Sequence, residues 1–245
     1  MALSSRSSFP SCDTPNGCMS CASRVYSAWN LLSEADLQFL SEHKKTRHYK
    51  AGQIIFFQDD PCYGVYCIES GLVALRKTDE QGRSVIVRLV HPGETVGYRT
   101  FFSGGNFTSS AESLAKCRVC FIEKSVLEYL LDRNKDVMRD FTRQLANELK
   151  RSEEDMLYRS TLPARARLAH LLLNLVAHAD IELKRKDLVW ELPLSRQDMA
   201  AILGIRPETI ARTLHSFEEE GVAHFEGRQV RVPQLDMLEA EAEEI

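Results

Sequence analysis

The sequence predicts an α+β protein made of an antiparallel β-roll, one long helix and a C-terminal winged helix-turn-helix. Three observations lead there. Eight of the twelve glycines fall between Gly52 and Gly105, and none between 106 and 203. A charged helical stretch follows, with a thin apolar stripe. Near the C-terminus, two helix-forming runs are joined by a single glycine. The expected organisation is a cysteine-rich segment (1–23), a β-roll (24–133), a long helix (134–160), a winged helix (161–238) and an acidic tail (239–245).

Between the glycines run "QIIFF", "GVYCIE", "LVALRK" and "SVIVRLV". Short β-prone runs punctuated by turns at this spacing build a sandwich or barrel. "DEQGRS" is a hairpin turn, and an antiparallel β-domain is expected over about 24–123. The pattern then changes period. "KSVLEYLLDRN" opens with Ser125 and Glu128 at capping-box spacing. After Asn134, Met138, Phe141, Leu145, Leu149, Ser152 and Met156 recur at spacings of three and four. Such a stripe packs either on the protein's own core or against a second copy. Its narrowness and the charge on the other faces favour pairing, with polar Ser152 in the seam.

Pro163 opens "PARARLAHLLLNLVAHA", a Leu-rich helix with the proline at or near its first position. "LVWELPL" reads as a strand. In "LSRQDMAAILGIRPETIARTLHSFEEEG", Ser195 and Asp198 have the character of N-cap and third residue. Gly204 makes the turn, Pro207 starts the second helix and Gly221 follows its end. Ile210, Leu214 and Phe217 share its inner face. Glu208, Ala211, Arg212 and His215 share the outer face. "AHFEGRQVRVP" reads as a hairpin wing turning at Glu226-Gly227.

The outer face suits double-stranded DNA. The first turns of such a helix reach base edges in the major groove. Arg212 can pair with guanine O6 and N7, and Glu208 can accept from cytosine N4. Arg196, Arg206, His215 and Arg228 are placed for phosphates. The net charge of −4 gives bulk electrostatics no part in this reading. No Gly-rich phosphate loop, HExxH or GxSxG motif is present, and "CMSC" and "CRVC" lack the βαβ context of a thiol oxidoreductase, so an enzyme is not expected. Neither a secretory signal nor a membrane span is expected, which points to the cytoplasm. There thiols stay reduced, and the "CDTPNGCMSCASR" cluster reads as metal-binding or redox-active. Cys67, in "VYCIE", reads as a small buried apolar residue and Cys62 as an incidental turn thiol. His91, in "HPGE", belongs to a turn.

In this order the parts resemble the CRP/FNR family of bacterial transcription regulators. "GQIIFFQDD…VYCIESGLVAL", "HPGETVG", "RLAHLLLNL" and the helix-turn-helix stretch carry the resemblance over about 24–235. It implies a jelly roll like that of cyclic-nucleotide-binding domains, a homodimer on an inverted repeat, and RNA polymerase as a partner. Glu208 and Arg212 match the glutamate and arginine that read the half-site, and Ala211 stands where the oxygen-sensing FNR branch usually has serine. The cyclic-AMP branch has a glutamate where this chain has Tyr98. Its Arg-Ser pair is replaced here by Phe107-Thr108 or Thr108-Ser109, with Arg99 nearby, so cyclic AMP is not expected.

The FNR branch holds a [4Fe–4S] cluster on three N-terminal cysteines and one β-roll cysteine. By resemblance Cys12, Cys18, Cys21 and Cys120 would be those ligands, although the C-x5-C-x2-C spacing is the reverse of the usual one. Cys117 is a rival ligand, giving a zinc or Fe–S site with Cys18, Cys21 and Cys120. Positions i and i+3 of a strand, however, point to opposite faces. A thiol–disulfide switch is the remaining alternative.

Overall fold

The computed structural model describes residues 17–178 and 186–243, which form two compact units, 17–150 and 151–243. In the first unit, 3-10 turns at Gly17–Ser20, Ala22–Tyr26 and Ala28–Leu31 lead into helix α1 (Glu34–His43). The Ser33 hydroxyl caps α1 by accepting the Asp36 N–H at 3.2 Å. This stretch was expected within the β-domain. Its apolar residues lack strand alternation, and Trp29, Leu37 and Leu40 lie buried over one face of the roll instead.

The strands are β1 (Lys45–Tyr49), β2 (Ile54–Phe56), β3 (Gly64–Ser70), β4 (Val73–Thr78), β5 (Ser84–Val90), β6 (Thr95–Val96), β7 (Ser110–Ser113) and β8 (Cys117–Glu123). They form two antiparallel sheets ordered β1-β8-β3-β6 and β2-β7-β4-β5. Chain neighbours are largely not sheet neighbours, which is the mark of a jelly roll. The β4–β5 hairpin turns over Asp79–Arg83 as read, with the Asp79 carboxylate accepting the Gln81 and Arg83 N–H groups. Gly71, between β3 and β4, has φ 89°, and a Cβ there would meet the Cys117 sulfur at 2.5 Å. A short helix, α2 (Tyr98–Ser103), interrupts the strands.

Alternation along β3 and β8 sorts side chains between two cores. Ile68, Cys117 and Val119 enter the sandwich interior with Phe56, Val73 and Phe107. Val65 and Ile122 face the other way, into a cluster with Trp29, Leu127 and Phe141. Helix α3 (Lys124–Arg133) begins two residues earlier than the Ser125 cap implies. Strand β8 runs directly into it, Glu123 is the N-cap without a side-chain bond, and Ser125 turns back to Glu123 at 3.4 Å. The capping box is therefore not formed.

Helix α4 (Lys135–Thr161) carries the predicted stripe, but the stripe divides. Phe141 is fully buried against Trp29, Tyr98 and Phe102, and Leu145 packs beside it, so these two belong to the protein's own core. Met138, Leu149 and Met156 are exposed, at 38%, 63% and 69%, as are Ser152 and Leu157.

In the second unit, Pro163 stands immediately before α5 (Ala164–His178), its carbonyl accepting the Arg167 N–H. Then come β9 (Lys186–Glu191), α6 (Arg196–Leu203), α7 (Pro207–Glu219), β10 (His224–Glu226), β11 (Gln229–Gln234) and α8 (Leu235–Glu243). The sheet order is β10-β11-β9. Glu226 pairs with Gln229, which puts the wing turn at Gly227-Arg228, one residue beyond the expected position. The acidic stretch is not a free tail over 239–243. It continues α8, which buries Leu235 and Leu238.

Candidate nucleic-acid interface and thiol cluster

Local chemistry fixes the two helices of the outward site. Ser195 Oγ accepts the Asp198 N–H and the Asp198 carboxylate accepts the Ser195 N–H, both at 3.0 Å, closing the predicted capping box. Gly204 ends α6 in the left-handed region at φ 64°, where a residue without Cβ is favoured. Arg167 donates to the Leu203 carbonyl at 2.8 Å and steadies that turn. Pro207 opens α7, whose preset φ suits a first helical turn. Ile210, Leu214 and Phe217 are buried as read, and Glu208, Ala211, Arg212 and His215 all face solvent. His215 Nε2 lies 3.3 Å from Glu219.

The far end of α7 is held more firmly. Arg165 on α5 donates to both Glu220 oxygens at 2.7–2.8 Å and to Glu241 of α8 at 2.6 and 2.9 Å. These bonds raise its pKa and hold the Glu220 carboxyl below its usual range. Glu218 accepts the Phe225 N–H at 3.1 Å, joining α7 to the wing. Arg196 opens α6, Arg206 is the N-cap of α7 and Arg228 sits in the wing turn, all exposed. The rigid backing thus presents an acidic and a basic group one helical turn apart, with three guanidinium groups on neighbouring turns.

Within the β-roll, the residues around Tyr98 converge on a carboxylate of the protein itself. Tyr98 is buried, and its hydroxyl donates to Glu148 of α4 at 2.6 Å. Arg88 bonds Glu148 as well and reaches Glu94 at 2.8 Å, while Arg99 lies 3.6 Å from Glu148. Phe107 stacks on Phe56 with centroids 4.0 Å apart. Between Arg88, Tyr98, Thr108 and Ser109 a cavity of about 20 Å³ remains, room for about one water.

The cysteines separate by face. Cys117 lies in the sandwich interior, its thiol donating to the Leu72 carbonyl at 3.3 Å, away from Cys120. That removes it as a co-ligand of Cys120. Cys120 is buried on the other face, with Lys44 Nζ at 3.3 Å, Thr46 Oγ1 at 3.6 Å and Glu69 at 3.6 Å. Cys18 is buried in the cluster on that face, its N–H donating to Ser41. Burial pushes its thiol up to about 11, against the pull of Lys44. Cys21 is half-buried, with Ser23 Oγ at 3.2 Å. Cys12 lies outside the described residues. Among the described residues, no three His, Cys, Asp or Glu side chains converge tightly enough to hold a single metal ion.

Sequence reading missed one sulfur. Cys67 stands directly opposite Cys120 in the β3–β8 register and packs against the same cluster as Cys18. The alternation of "VYCIE" places Cys67 on a face, but only the strand pairing says what it faces.

Comparison with known proteins matches these two parts. Residues 46–134 match the family model of the cyclic nucleotide-binding domain, and residues 166–241 match the Crp-like helix-turn-helix domain. The two define a transcription regulator with a DNA-binding helix-turn-helix. A probable transcriptional activator of Rhizobium leguminosarum bv. viciae is 30% identical over 235 residues, covering 96% of each chain. The transcriptional activator protein FnrL of Cereibacter sphaeroides is 28% identical over 216 residues, 86% of each chain. The solved structure of FixK2 from Bradyrhizobium japonicum superposes with a TM-score of 0.72 at 26% identity, covering 82% of this chain and 98% of FixK2. The chain belongs to the CRP/FNR family, in its FNR-like branch. Among the described residues, no helix is long and apolar enough to cross a membrane.

Proposed function

We propose that the protein is a cytoplasmic, homodimeric regulator that binds an inverted repeat and senses oxygen or redox state through a [4Fe–4S] cluster. The observation that carries this reading is that Cys18 is buried within electrostatic reach of Cys120, with Cys21 beside it, the Cys21 N–H donating to the Cys18 carbonyl at 3.4 Å. Soft thiol donors suit such a cluster, and Lys44 supplies a positive charge beside thiolates that burial alone would disfavour. When bound, the cluster supplies an oxygen- and redox-labile group.

The chain's own residues supply the relay. Trp29, eight residues after Cys21, packs edge-on against Phe141 of α4 with centroids 5.5 Å apart. Its indole N–H donates to Thr95 at 3.2 Å. A change in the seating of the N-terminal segment therefore meets α4 through one aromatic contact. The open row Leu149, Ser152 and Met156 on α4, with Leu157 beside it, is the dimer seam of this reading. Two copies then place two α7 helices on symmetric half-sites. Glu208 and Arg212 read bases, with the Ala211 methyl available to thymine. Arg196, Arg206, His215 and Arg228 hold phosphates. Engagement of RNA polymerase follows from the family. Tyr98, bonded to Glu148, and Phe107 line a cavity of the roll with room for about one water, which supports a regulator that does not respond to cyclic AMP.

The test is selection of binding sites from random duplex DNA by the anaerobically purified protein, with footprinting of the selected site. A two-fold symmetric site whose base preference relaxes in Arg212→Ala and Glu208→Ala is the expected result. Binding without sequence preference would refute the reading.

A further inference from the structure

The sheet register sorts the cysteines of the described residues into two groups. Cys62 and Cys117 belong to the sandwich interior: Cys62 packs at its edge and donates to the Gly64 carbonyl at 3.4 Å. Cys18, Cys67 and Cys120 lie on the opposite face of the β1-β8-β3-β6 sheet. Cys67 and Cys120 are directly opposed on antiparallel strands, so their Cβ atoms stand roughly 5 Å apart and on the same side. The row across the sheet reads Thr46, Cys120, Cys67, Thr95. Two hydroxyls thus flank two thiols, with Val65, Ile122 and Leu127 in the cluster beside them and Lys44 and Glu69 at the Cys120 end.

We infer that Cys67 is the fourth sulfur of this site: Cys18, Cys21, Cys67 and Cys120 together take the iron–sulfur cluster, and Cys12 is dispensable. The inference rests on the cluster reading above and changes its ligand set. Geometry favours Cys67. Its backbone position is fixed by pairing on both sides, with β8 and with β6. Cys120 faces it directly, and Cys21 and Cys18 lie within electrostatic reach of it. A four-iron cluster presents four separate corners to four cysteines. Lys44 faces Cys120 and acts on Cys18, and the Glu69 carboxylate beside Cys120 is itself paired with Arg118 at 3.1 Å. Thr46 and Thr95 offer hydroxyl donors to the sulfurs, the kind of contact that tunes a cluster.

The experiment is anaerobic loading of the full chain with iron and sulfide, in wild type and in Cys67→Ser, Cys12→Ser and Cys117→Ser. Iron, acid-labile sulfide and visible absorption are read for each. Wild type, C12S and C117S are expected to hold about four irons and four sulfides per chain. C67S is expected to lose most of the iron and the colour, while its unloaded form melts within a few degrees of unloaded wild type. If C67S does not fold, alkylation of wild type in mild urea, read by mass spectrometry, gives the answer. Cys67 is expected to be labelled roughly tenfold less in the loaded than in the unloaded protein, with Cys117 unchanged. A C67S protein that keeps its cluster, or a C12S protein that loses it, overturns the assignment and leaves the cluster reading standing. A colourless wild type, or a Cys67–Cys120 disulfide formed without iron, overturns both.

Discussion

The hydroxyl of Tyr98 donates to the carboxylate of Glu148 across 2.6 Å, tying α2 of the β-roll to α4. Arg88 and Arg99 face the same carboxylate. The cyclic-AMP branch has a glutamate at the position of Tyr98; here a carboxylate on α4 binds Tyr98 and Arg88, two of the groups that line the small cavity. Tyr98→Phe removes a bond to a charged acceptor and is expected to destabilise the roll by ~1.5–3 kcal/mol in urea denaturation. Cyclic AMP at millimolar concentration is expected to leave the melting temperature unchanged. A clear rise would mean that the interior admits the nucleotide.

Glu94 makes the acid side of stability testable. Burial pushes its carboxyl up, but Arg88 at 2.8 Å and the His91 N–H at 2.7 Å pull it below its ordinary value, and the pull wins. A carboxyl lower in the folded than in the unfolded state adds stability above its unfolded value of about 4.3, and that stability is lost as pH falls through the folded value. Glu94→Gln should therefore be less stable than wild type at pH 7, with the difference shrinking below about pH 4. A difference that stays constant from pH 7 to pH 3 would show that Glu94 acts only through its shape.

The divided stripe of α4 predicts two different phenotypes. Phe141→Ala empties a fully buried site touching three aromatic rings and should cost ~3–5 kcal/mol of stability. Leu149→Glu with Met156→Glu alters exposed positions, so the chain should stay folded but sediment as a monomer at micromolar concentration. A double variant that remains dimeric would place the dimer contact elsewhere.

On DNA the two groups of side chains should separate by their readout. Arg212→Ala should cost ~1–3 kcal/mol on the preferred site and relax preference at its base. Arg206→Ala and Arg228→Ala should weaken all sequences alike and lower the salt dependence by about one phosphate each. Loss of sequence preference in Arg228→Ala would move base reading to the wing.

What the sequence made legible was mostly local. Ser195 with Asp198, Gly204, Pro207 and the Asp79–Arg83 turn each carry their conformation in neighbouring residues, and the structure forms all of them. What stayed hidden depended on distant pairing. Cys67 meets Cys120 through a strand register set 53 positions away in the chain. Phe141 turns inward because Trp29 and Tyr98 wait for it, although the spacing of the stripe is the same on both halves of α4. Ser125 resembles a cap, but a strand that enters its helix without a break leaves no free turn to be capped.

The central claim is that the thiol face of the roll governs DNA binding. The most direct measurement follows affinity for the selected inverted repeat and visible absorption together, in anaerobically purified protein before and after exposure to air. The account predicts absorption that bleaches in air and an affinity that changes by roughly tenfold or more, about 1.4 kcal/mol of coupling between the two sites. A colourless protein whose affinity is the same in both states would contradict it.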